Sequence, residues 1–210
     1  MADIIDEINE EIKQERMKAL FAKYGKVVLG FAAAVVGIVV AIQGYGIYQG
    51  SVRAKAATAY FNALGESEIG NALADASSDL SGGYQMLAKF VTAAELVSQS
   101  NQSEAYDIYA ALAGEANLSE VYRHFAAMQA VINAPEDIAT DELAALVGPI
   151  ADKPGPTQGL ALELMADLAL RDGDIDAAKE NLTKISELQD IPNGLRQRAA
   201  TLALVLESKE

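Results

Sequence analysis

The chain contains no cysteine and no tryptophan, a single histidine, and five prolines among 210 residues. Without cysteine there is neither a disulfide framework nor a thiolate metal site. That lack is compatible with an oxidising compartment, where a domain can dispense with disulfides. One imidazole leaves little for nucleophilic chemistry. His124 sits in Tyr122-Arg123-His124-Phe125, and a relay would need it beside a serine or threonine with an orienting carboxylate. Neither the Walker glycine-lysine pattern nor the dinucleotide glycine pattern occurs. This inventory predicts a protein that is not an enzyme, with no catalytic residue, cofactor or small-molecule substrate.

Positive charge is also scarce. The chain has 16 Lys and Arg against 30 Asp and Glu, a net charge of −14. Residues 1–55 carry seven basic and six acidic residues, so +1, and residues 56–210 carry nine and 24, so −15. Such an acidic domain argues against nucleic acid as a partner and would be repelled by anionic headgroups. It also keeps a domain soluble. Acidic residues alone do not make a site. Asp172-Gly173-Asp174-Ile175-Asp176 opens like a calcium loop, but its sixth position is Ala177 and its twelfth Thr183, where the loop needs Gly and Glu. The stretch is expected to be an inter-helix turn with a capping aspartate, and no metal site is predicted.

What the chain does have is an apolar run. Val27 to Ile42, VVLGFAAAVVGIVVAI, holds no charge and no strong hydrogen-bonding side chain. Extended to Tyr48 it is interrupted only by Gln43. As a helix it would be about 33 Å long, enough for a hydrocarbon core of about 30 Å. Tyr24 flanks one end and Tyr45 and Tyr48 the other, where aromatic rings favour the membrane interface. The leader before it is long and acidic, unlike the short basic start of a signal peptide, so a retained anchor is expected. Arg16, Lys18, Lys23 and Lys26 precede the run and only Arg53 and Lys55 follow closely, which predicts a cytoplasmic N-terminus. Within the span, Gly30, Ala33, Ala34, Gly37 and Ala41 form a ridge of small residues that would let another membrane helix approach.

The expected organisation is a cytoplasmic amphipathic helix over 1–26, the transmembrane helix over 27–48, a helical connector over 49–82 and a repeat domain over 83–210. In the first segment Ile4, Ile5, Ile8, Ile12, Ala19 and Leu20 recur at helical spacing, with Asp3 as a capping candidate. Ser77–Gly83 is read as the first breaker cluster. Helices are then predicted near 84–99, 102–113, 119–132, 141–151, 157–171, 174–188 and 193–207, with no strand-like alternation.

Those helices repeat. Ala93, Ala127, Ala166 and Ala200 align at spacings of 34, 39 and 34 residues, and Ala105, Ala144 and Ala178 align in the second helices. A period near 34 built from helix pairs is the tetratricopeptide pattern. Alanine suits the close crossing of two paired helices, where backbones approach to about 8 Å. The predicted fold is therefore all-α: a transmembrane helix followed by a tetratricopeptide-like helix-pair solenoid.

The sequence also resembles a known family. AKYGKVVLGFAAAVVGIVV in the anchor, AKAATAYFNAL after it, GYQMLAKFVTAAELV in the first repeat and ALELMADLALRDGDIDAAKENLTKI in the third are similar to the ancillary SecYEG translocon subunit family. The resemblance spans nearly the whole chain. It implies a single-pass protein of the bacterial inner membrane with its repeat domain in the periplasm, associated with the Sec translocon and periplasmic chaperones. The function expected is an adaptor or scaffold that binds proteins. The alternative is an accessory or assembly subunit of another inner-membrane complex, respiratory or secretory.

Overall fold

In the computed structural model the protein is all-helical, and no strand occurs among the described residues. The description covers residues 2–208; within the first helix the side chains of 2–12, 14–16, 19–22, 25, 27, 28, 32 and 33 lie outside it. The isoleucine stripe and Asp3 at the N-terminus therefore fall outside the described side chains, as does that of Ala33.

The elements are α1 (Ala2–Ala63), α2 (Ile69–Asp75), a 3-10 turn (Ala76–Ser78), α3 (Gly83–Ser98), α4 (Gln102–Ala113), α5 (Glu120–Ile132), α6 (Thr140–Ala151), α7 (Gln158–Arg171), α8 (Ile175–Glu187) and α9 (Asn193–Glu207). The chain divides into two compact units, Met1–Lys55 and Ala56–Glu210.

The first unit is helix alone. From Leu29 the helix is long and apolar enough to cross a membrane. Leu29, Phe31, Val36, Val40, Ile42 and Ile47 all expose more than 60% of their surface. A helix apolar on every side belongs in a protein core or in a bilayer, and no described residue of this chain covers it.

The second unit starts on the last turns of α1. Ala56, Tyr60 and Ala63 are buried at spacings of four and three, one helical face, and Tyr60 and Ala63 pack with Leu73, Leu80 and Ala88. The chain breaks earlier than Ser77: the amides of Leu64, Gly65 and Glu66 turn back onto the carbonyls of Tyr60, Asn62 and Ala63 at 3.1, 3.0 and 3.2 Å. Gly65 followed by Glu66-Ser67-Glu68 supplies this break, and the short α2 that follows packs on α3.

From α3 onward each helix packs chiefly on the helices before and after it in the chain, with further contacts between α5 and α7 and between α7 and α9. Leu112, Leu143, Val147, Leu182 and Ile185 are the largest side chains fully buried between them. The turns follow local chemistry. Gly173 adopts φ +77°, a left-handed conformation that costs glycine nothing, and Asp174 then accepts the Ala177 amide at 2.9 Å to cap α8.

Gly159 has a packing role. A Cβ there would lie 2.8 Å from Leu195 Cδ2 and 3.2 Å from Ile191 Cγ2, so the missing side chain lets α7 seat against the start of α9. Gly159→Leu should destabilise the domain by about 1–3 kcal/mol, the usual cost of overpacking, despite glycine's poor helix propensity. Thermal melting by circular dichroism reads this directly. A melt at or above the parent's would mean that this crossing has room to spare.

Candidate functional site

In the span, Gly30, Ala34, Gly37 and Ala41 are exposed, and a Cβ built on Gly30 or Gly37 meets nothing within 4 Å. The ridge is therefore open to another helix along its described length.

In the second unit the alanines take three kinds of place. Ala93, Ala105, Ala166 and Ala178 have no exposed surface and Ala127 has 3%. Ala144 is half-buried on the core, and its neighbour Leu143 takes the inward position in α6. Ala200 is exposed, against the packing role expected of it, and Ala199 is the buried alanine of α9. The difference has a simple cause. Ala93, Ala127 and Ala166 lie on helices that are each followed by another helix, and no helix follows α9 among the described residues.

Most long-range side-chain links span a similar number of residues, Lys89 to Glu115 at 26 being the shorter exception. Tyr106 donates to Glu142, Lys153 to Glu120, Arg198 to Glu163, and Thr140 to Asp172; Arg171 donates to the carbonyls of Glu136 and Ile138. His124 Nδ1 lies 2.9 Å from Thr157 Oγ1. All these partners are 32 to 36 residues apart. Burial and the Glu142 hydrogen bond push the Tyr106 phenol up to about 12.

The single histidine does meet a hydroxyl and a carboxylate. Thr157 stands just before α7, and Glu120 Oε1 is 3.6 Å from His124 Nε2. Yet that same Glu120 oxygen already takes the Lys153 ammonium, whose hydrogen bond holds the Glu120 carboxyl below its usual range. The group ties α5 to the start of α7. In the 172–176 loop, Asp172 accepts from Thr140 at 2.6 and 2.7 Å and Asp174 caps α8, so two of the three carboxylates are engaged within the protein.

What the sequence did not reveal is how the exposed apolar side chains are distributed. Leu87 lies on α3; Val121, Tyr122, Phe125 and Ile132 on α5; Leu160 on α7; Leu204 and Val205 on α9. Helices α4 and α6 expose no large apolar residue, and α8 only Ile175 at its start. The odd-numbered helices also contact one another, α5 with α7 and α7 with α9, and Phe90 of α3 meets Phe125 of α5 at 5.4 Å between ring centroids. These helices thus carry nearly all the uncovered large apolar side chains from α3 onward, and apolar surface of that kind marks interaction sites where it is contiguous. Comparison with protein-family models, curated proteins and solved structures found no match.

Proposed function

We propose that the protein is a non-enzymatic, membrane-anchored adaptor, in which the apolar helix holds a tetratricopeptide-like solenoid that binds a protein segment on its α3–α5–α7–α9 side. The observation that carries this reading is the confinement of exposed large apolar residues from α3 onward almost wholly to those helices. Solenoids of stacked helix repeats bind along an extended concave surface. The buried alanine column and the links across 32 to 36 residues support the helix-pair register. The excess of Lys and Arg before the span favours a cytoplasmic N-terminus, with the domain in the periplasm of a bacterial inner membrane. By its resemblance to the ancillary translocon subunits, the partners would be the Sec translocon or periplasmic chaperones.

A second reading has its own support. The open ridge at Gly30, Ala34, Gly37 and Ala41 suits packing on the membrane helices of another complex, which would make the chain an accessory or assembly subunit.

Two measurements test these readings. A C-terminal tag should be digested by protease added to intact spheroplasts; a protected tag would reverse the topology. Purification from native membranes in mild detergent should then recover translocon or chaperone components. A stoichiometric respiratory or secretion complex in their place would favour the second reading.

A further inference from the structure

A groove of about 490 Å³ runs between α7 and α9, with buried Leu182 of α8 also lining it. One wall carries Glu163 and Asp167, four residues apart on one face of α7. The other carries Arg198, Leu202 and Val205 of α9. The two carboxylates differ in their partners. Glu163 receives both arms of Arg198, Nε to Oε1 and Nη2 to Oε2, each at 2.8 Å. Among the described residues no hydrogen bond or ion pair reaches Asp167. Asp167 is itself exposed, and partial desolvation by its neighbours, and then the Glu163 carboxylate, hold its carboxyl above the ordinary range. Such a group is relieved by a cation brought from outside.

The apolar part of the groove is also incomplete. Val205 is 44% exposed and Leu202 is half-buried, so apolar surface of the groove is left uncovered. The unit around the groove has nine basic and 24 acidic residues, so it repels acidic segments and attracts basic ones.

We infer that the α7–α9 groove binds a basic segment of a partner polypeptide, with a Lys or Arg side chain on Asp167 and an adjacent apolar side chain on Leu202 and Val205. This rests on the adaptor reading above and specifies the partner's chemistry. Arg198 shows the geometry in miniature: it is a cation from α9 already seated on the neighbouring carboxylate of α7.

The test uses the full chain in detergent micelles and a fluorescent peptide of repeated Leu-Lys-Ala units, read by anisotropy. Two matched peptides replace every Lys by Gln or by Glu. The Lys peptide should bind and the other two should not. Asp167→Asn should weaken binding about two- to fivefold, as for loss of an exposed charge pair, and Val205→Asn, a neutral change at an exposed position, should weaken it through the apolar contact. Asp141→Asn on α6 removes the same charge elsewhere and should leave binding unchanged. The inference is overturned if the Lys peptide does not bind, if the Gln peptide binds as tightly, or if Asp141→Asn weakens binding as much as Asp167→Asn. The adaptor reading has a separate readout. If cross-linkers on α5 still capture a protein in native membranes while Asp167→Asn is silent, only the basic-segment inference falls. If the peptide results hold but no protein is captured, the adaptor reading falls.

Discussion

Aspartate at Ala178 will unfold the α7–α8 pair, whereas aspartate at Ala200 will leave the domain's melt where it was. Both positions were aligned with repeat alanines by sequence, and the structure separates them. Ala178 has no exposed surface, and neither has Ala166 on the facing helix. A carboxylate at Ala178 would lose its water with no cation placed to receive it. The cost of burying an unpaired carboxylate is several kcal/mol, comparable with a domain's whole stability of about 5–15 kcal/mol. Ala93→Asp should behave in the same way, since Ala93 is equally buried. Ala200 faces solvent, and a polar substitution there should stay within about 0.5 kcal/mol of the parent. Thermal melts of the full chain in detergent discriminate the two outcomes. Equal melts for Ala178→Asp and Ala200→Asp would show that the helix-pair crossings are not where the structure puts them.

The second large effect lies in the span. Val36 and Val40 sit one helical turn apart, each more than 60% exposed, and no described residue covers them. In a bilayer each arginine placed near the centre of a helix costs about 2.5–3.5 kcal/mol for insertion. The double variant Val36→Arg, Val40→Arg should therefore fail to insert and be lost from the carbonate-resistant membrane fraction. Its second unit should still melt like the parent's, because Ala56–Glu210 carries its own core. A parent chain already soluble in carbonate would mean that α1 is not an anchor. A double variant retained as fully as the parent would mean the same.

Much of the fold was legible because helix boundaries here are set by local chemistry. Predicted helices 102–113 and 193–207 match α4 and α9 residue for residue; α5, α6 and α7 differ by one residue at the start, and α3 and α8 by one residue at each end. Asn101 accepting the Glu104 amide, Gly173 and Asp174 are signals written in the residues themselves. The break at 64–68 was missed because one glycine among polar residues is a weaker signal than Ser77–Gly83. Residues 56–63 continue the Ala-rich pattern of the helix before them, so only the contacts of Tyr60 and Ala63 with Leu73 and Leu80 assign them to the second unit.

The candidate site was less legible, for a physical reason. Burial of an alanine depends on which face of its helix meets a neighbour, which distinguishes Ala166 from Ala200 although both sit in the same kind of pattern. The His124–Thr157 contact joins residues 33 apart, and Arg171 reaches backbone carbonyls that carry no side-chain signature. The near-confinement of exposed large apolar residues from α3 onward to α3, α5, α7 and α9 becomes visible only when burial is known for each side chain.

The most direct measurement is photo-cross-linking in native membranes from the surface that the odd-numbered helices share. A benzophenone side chain in place of Tyr122 or Phe125, each 45% exposed on α5, reports on that surface, and one in place of exposed Glu104 on α4 serves as the control. A membrane-anchored adaptor should give discrete protein adducts from Tyr122 and Phe125 and none from Glu104. Adducts equally abundant at all three positions, or none at Tyr122 and Phe125, would contradict it.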